Sequence, residues 1–178
     1  MAHLDGTWNL DPSHSEVGFT VRHAGISKVR GQFKNVSATA EFIDGVGRIT
    51  ASAKADSFDS GDENRDEHVK SEDFLNVEEF PTLDFFGTFE NNTLRGELTI
   101  RGVTQPVEFE VDEVDTAVDP FGLQRAGTEA KTVISRKDFG LTWNAALETG
   151  GVLVSDKVTL TIDASFVKDA GETESAES

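Results

Sequence analysis

Residues 157–166 read KVTLTIDASF. Val158, Leu160, Ile162, Ala164 and Phe166 fall on one side of an extended chain. Lys157, Thr159, Thr161, Asp163 and Ser165 fall on the other. Successive side chains of a strand point to opposite faces, so this run is a half-buried β-strand and not a helix. The same period recurs along the chain. Val17, Phe19 and Val21 alternate with Gly18, Thr20 and Arg22, and Val29, Gly31 and Phe33 continue on odd positions. Val36, Ala38, Ala40 and Phe42 then continue on even ones, so the parity changes near Asn35 and a bulge or kink is expected there. Further runs centre on Ile49–Ala55, Leu83–Phe89, Leu94–Ile100, Val107–Val111 and Ala126–Ile134. Asp44-Gly45, Asn91-Asn92, Arg101-Gly102 and the Asp119–Gly122 stretch supply turn chemistry between them.

One segment breaks the pattern. SGDENRDEHVKSEDFLNVEEF, residues 60–80, has no alternation. Ser60 followed by Glu63 has the form of a capping box, Ser71 suits the cap of a second short turn, and Pro81 ends the segment. A helical insertion over about 61–76 is therefore expected in an otherwise all-β chain.

About eight strands, each with one apolar face, need that face covered, which a sandwich or a closed barrel would do. Long strands, short connections and many small residues on the apolar faces (Ala38, Ala40, Ala51, Ala53, Ala55, Ala126, Ala130, Ala164) favour the barrel. Eight strands enclose just enough room for one small ligand or for packed side chains, and alternation alone leaves both open.

The 178 residues suit one domain with its own core. A net charge of −17 repels phosphate backbones and anionic membrane surfaces, so neither nucleic acid nor an anionic membrane surface is an expected partner, and no stretch is long enough for stable membrane insertion. Cysteine is absent, which excludes disulfides, thiolate metal sites and a cysteine nucleophile. The first residues lack the charged and apolar regions of a secretory signal, so a cytoplasmic location is expected, with export as the alternative should a leader have been removed. The last residues, DAGETESAES, hold four acids and no base, and a disordered acidic tail over 169–178 is expected.

Candidates for chemistry are sparse. His3, His14, His23 and His68 show no metal-binding spacing. His14 and His23 stand nine positions apart, so on one regular strand they face opposite ways and share no metal. No serine sits in a nucleophile elbow, and carboxylate pairs such as Glu78-Glu79 read as solvated. Neither an enzyme nor a metal or organic cofactor is expected.

WNLDPSHSEVGFTVRHAGISKVRGQF, residues 8–33, resembles the opening of the YceI-like, polyisoprenoid-binding family. The resemblance continues through Asn64-Arg65-Asp66, Asp73-Phe74, Phe80–Phe85, Gly96–Val107, Ile134–Gly140 and Val154–Val158, in order, across about residues 8–168. It implies one domain over 1–168: an extended eight-stranded antiparallel, lipocalin-like β-barrel with a helix, around a long apolar channel. It also implies non-enzymatic binding, storage or transport of a polyisoprenoid, or of an isoprenoid quinone or its precursor. A hydrolase or isomerase acting on a small amphiphile, and a dry-core stress-related protein, are the alternatives. A haem-like ligand would need an inward histidine.

Alternation then assigns the inward set expected to line the channel: Val17, Phe19, Val21, Phe33, Phe42, Ile49, Ala51, Phe85, Leu98, Ile100, Phe109, Val111, Ile134, Leu160 and Ile162. His14, His23, Arg65 and Arg136 are the candidate head-group contacts. Arg65 with Asp66, and Arg136 with Asp138, are expected chiefly to fix local geometry, and the two histidines to bond at strand ends. A homodimer is conceivable through apolar positions such as Val103 and Phe121.

Overall fold

The computed structural model describes residues 2–24, 26–144 and 154–169. Every alternating run becomes a strand. In chain order these are β1 (Gly6–Leu10), β2 (Glu16–His23), β3 (Ser27–Phe33), β4 (Val36–Ile43), β5 (Val46–Lys54), β6 (Phe58–Asp59), β7 (Thr82–Glu90), β8 (Thr93–Ile100), β9 (Val103–Val111), β10 (Asp115–Val118), β11 (Gln124–Ser135) and β12 (Val154–Lys168). One α-helix, α1 (Glu63–Lys70), lies between β6 and β7.

The strands form eight antiparallel staves. β12 is the longest, and the whole of β11 pairs along one of its edges, from Arg125↔Val167 to Ser135↔Lys157. Its other edge takes two strands in turn. The end of β12 pairs with β1 and its first half with β2, so β1 and β2 make one stave bent at the Pro12–His14 turn. β4 lies against β1 and β3 against β2, which makes a second composite stave. β5, β7, β8 and β9 follow, and β9 returns to β11 to close the barrel. β6 pairs with the end of β3, and β10 pairs with the first residues of β11, on the edge that β9 takes further along.

The expected parity change is a break at Lys34–Asn35. There the ladder gives way to Lys34 N–H donating to the Ser57 carbonyl (3.1 Å) and Lys54 N–H to the Asn35 carbonyl (2.9 Å). The three predicted two-residue hairpins have positive φ at both central residues: Asp44 53° and Gly45 80°, Asn91 53° and Asn92 57°, Arg101 52° and Gly102 72°. This is the turn whose twist matches that of paired strands.

The helical segment is shorter than expected. α1 ends at Lys70, and residues 71–79 form turns. Its cap is Asp62, whose carboxylate accepts the Arg65 N–H at 3.1 Å. Ser60 instead donates its hydroxyl and N–H to Asp66 (2.6 and 2.9 Å), so Asp66 ties the helix to the strand before it. Ser71 closes the helix, its hydroxyl donating to the His68 carbonyl at 2.6 Å.

One end of the barrel is plugged. Leu4, Trp8, Ala40, Phe42 and Phe89 pack there, with the Trp8 indole N–H donating to the Leu4 carbonyl at 2.7 Å. Among the described residues no helix is long and apolar enough to cross a membrane. The expected acidic tail lies outside the described residues, apart from Asp169.

Candidate functional site: a two-lobed apolar cavity with a polar rim

The inward faces do not meet at the centre. They leave an inner lobe of about 190 Å3 and an upper lobe of about 470 Å3, and Phe33, Leu83, Ile100 and Leu160 line both. The inner lobe exists because its wall is built of small side chains. Ala38, Ala51, Ala53, Ala130 and Ala164 all face it, at inward positions where larger residues would close the barrel. The polar residues along it are Ser15, Ser37, Ser52 and Thr128, of which Ser37 and Ser52 alternate with inward residues and turn their hydroxyls outward.

The upper lobe is walled by aromatic rings. Phe19, Phe33 and Phe58 cluster with centroid separations of 4.9, 5.8 and 6.4 Å. Val69 of α1, Phe74 and Leu75 of the following turn, Leu141 and Trp143 cover it. His68 sits edge-on between Trp143 (4.5 Å) and Phe74 (5.1 Å), and its Nε2 lies 2.9 Å from the Asp73 carboxylate. Arg101 donates to the Phe74 carbonyl at 2.8 Å and pins that turn to the barrel. The rim is polar: Arg22, His23, Asp62, Asn64, Arg65, His68 and Arg136. Among the described residues Asp62 is its single carboxylate.

Of the fifteen residues assigned inward by alternation, fourteen line one lobe or the other. Phe42 also points inward, but into the plugged end, where it borders a void of about 60 Å3 and packs at a tilt against Phe89, ring centroids 6.0 Å apart. It belongs to the core and not to the channel.

The four polar candidates part company. His23 and Arg65 are on the rim and exposed, and Arg65 makes a long, 4.0 Å contact with Asp62. Arg136 is on the rim too, but it is 3% exposed. Its guanidinium donates to the carbonyls of Ser155 (2.8 Å), Leu141 (2.6 Å), Trp143 (2.9 Å) and Val154 (3.1 Å). It therefore clamps the two chain segments beside the mouth. Its charge is answered by carbonyl dipoles, and not by Asp138 as the sequence suggested. Burial lowers its pKa, and Asp156 opposes that shift from a distance.

His14 is not brought to the cavity. It stands in the turn between β1 and β2, where its Nδ1 lies 2.8 Å from Asp11. Ser13 Oγ approaches the same nitrogen (3.1 Å) and also donates to Asp11 (2.7 Å). A serine–histidine–aspartate relay needs the serine and the acid on opposite ring nitrogens. This cluster has both on Nδ1, so it is a surface knot. Arg125 completes it, bridging Asp11 (2.9 Å) and Asp119 (2.8 Å). Among the described residues no group of three potential ligands is placed to hold a metal ion.

Alternation overlooked the glycines that seat the rings. Gly87 and Gly96 face each other across β7 and β8. A Cβ on Gly87 would lie 2.6 Å from the Phe85 ring, which stands edge-on to Phe109 at 5.7 Å. Gly47 seats Phe42 in the same way, at 2.7 Å. The signal was available: glycine at an inward position within a strand marks a close approach.

The comparisons with known proteins agree with this architecture. A UPF0312 protein of Staphylococcus epidermidis is 33% identical over 167 residues, covering 91% of this chain and 98% of its own. A YCEI protein of Campylobacter jejuni superposes with a TM-score of 0.70 at 26% identity, covering 90% of this chain and 96% of the other. A polyisoprenoid binding domain from Saccharophagus degradans superposes with a TM-score of 0.68 at 12% identity, over 91% and 98%. The model of the YceI-like domain matches residues 8–166, and the chain belongs to that family.

Proposed function

We propose that the barrel binds one long apolar amphiphile without covalent chemistry, its tail in the inner lobe and its head at the rim. A polyisoprenoid, or an isoprenoid quinone or its precursor, fits this description, and storage or transport is the use such binding serves. The observation that carries the reading is the division of one cavity into an alanine-ringed inner lobe and a rim of cationic and polar side chains. A tail in water costs about 25 cal/mol for each Å2 of apolar surface, and the inner lobe removes that cost. The larger lobe falls within the usual range for small-molecule sites, roughly 300–1,000 Å3. The structural likeness to a domain named as polyisoprenoid binding points the same way.

The test is native mass spectrometry of the purified protein, followed by organic extraction and lipid analysis. The expected result is a stoichiometric adduct that extraction identifies as an isoprenoid chain. A bare mass that also persists after exposure to isoprenoid alcohols would overturn the reading.

A further inference from the structure

Residues 17–40 contain four of the 16 lysines and arginines and none of the 33 aspartates and glutamates. In so acidic a chain that stretch is a reversal of sign, and the fold places three of the four cations on the hairpin beside the mouth, the fourth, Lys34, being paired with Asp59 at 2.7 Å. The β2–β3 hairpin puts Arg22 directly opposite Lys28, with Arg30 one pair further along the outer face, opposite Thr20. All three are exposed, and none lies within ion-pair distance of a carboxylate among the described residues. Like charges facing each other across strands oppose the pairing that holds them, so stability does not account for this arrangement.

The patch continues onto the neighbouring strand. Thr20 pairs with Thr159 of β12, and Lys157 is the next outward residue toward the mouth. Asp156, beside it, is turned onto the Ser135 hydroxyl and the Lys137 N–H. On the neighbouring strand Asp59 shares this outer face, opposite Gln32, and is held by Lys34 at 2.7 Å; along β2 and β12 the next acids are the cross-strand pair Glu16–Asp163, in the other half of the barrel. At the hairpin's end Ile26 is 83% exposed, an apolar side chain beyond the cations.

We propose that this face docks the protein on an anionic lipid bilayer, with Ile26 in the headgroup layer and the cavity mouth at the membrane surface. An apolar tip flanked by lysine and arginine is the chemistry of interfacial binding. Screening makes the local charge decisive over the net charge, since fields between exposed groups fade over about 8 Å at physiological ionic strength. The remaining acidic surface, the acids of α1 and of the turn after it included, is then repelled, so the hairpin edge of the mouth is what faces the bilayer. The purpose of docking rests on the proposed function, because an amphiphile carried in the barrel enters and leaves through a membrane. An acidic protein surface would answer the charge but gives no reason for the apolar tip.

The experiment is co-sedimentation with phosphatidylcholine vesicles, with and without phosphatidylglycerol, at low and high salt. Wild type is expected to bind the anionic vesicles alone and to release in high salt. Lys28→Glu/Arg30→Glu should weaken binding at least tenfold, and Ile26→Asp should weaken it severalfold. Both substitutions are exposed, and unchanged thermal midpoints would show the fold intact. Failure of wild type to bind, equal binding to neutral vesicles, or indifference to charge reversal would each overturn the proposal, the first leaving the face to a protein partner. Loading with an isoprenoid alcohol delivered from detergent is measured on the same proteins. Docking without loading refutes guest binding, whereas loading without docking refutes this face.

Discussion

Single residues show where reading a chain stops short. Arg136 was legible as a fixture, but its partners were not, because four backbone carbonyls carry no mark in the sequence and meet only once β12 lies beside β11. Asp11 is a similar case in a place the sequence left unremarked. The Ser13 hydroxyl, the Arg125 guanidinium and the His14 ring hold its carboxyl well below the usual carboxylate range. The native state therefore keeps this carboxylate ionised to lower pH than the unfolded chain does. Its contribution to stability is whole above the unfolded value, about 4, and is lost as pH falls from there toward the native value. Asp11→Asn is expected to lower the urea midpoint at pH 7, and the gap between variant and wild type should close as pH drops below about 4. A gap independent of pH would mean that the charge on Asp11 contributes nothing.

At the level of the element, α1 is weakly secured by burial: none of its residues is buried. The helix is held by its ends, through the Asp62 cap, the Asp66–Ser60 bonds and Ser71. The sequence announced a helix through its acids and its missing alternation. It misled about the cap, because Ser60, Asp62 and Glu63 all have capping chemistry and only the path out of β6 selects among them. A cover of this kind suits a site whose guest must pass. Asp62→Ala should cost the helix about 1 kcal/mol. Amide exchange across Glu63–Lys70 is then expected to quicken roughly fivefold, while the global urea midpoint hardly moves. Guest release should quicken in step. A fall in global stability with no local change would show α1 to be part of the barrel's cooperative core.

At the scale of the molecule, period-two patterning carried most of the fold, since an inward residue on one strand fixes the parity of its neighbours once the turns are known. β1, β6 and β10 escaped notice because each is five residues or shorter, too brief for a period to declare itself. The cavity was the harder matter. The same alanines that ring the inner lobe would also fit a filled barrel, and only their convergence on one level of the wall separates the two. That convergence makes the length of the guest a property of the wall. Ala51 faces the inner lobe from β5, paired with Phe85 on one side and Ala38 on the other. Ala51→Leu adds an isopropyl group to a lobe of about 190 Å3 without touching the rim. Against a series of isoprenoid alcohols of increasing length, native mass spectrometry is expected to show the variant keeping the short members and losing the longest that wild type retains. Uniform weakening across the series would place the tail elsewhere than the inner lobe. An unchanged length limit would mean that the tail stops in the upper one.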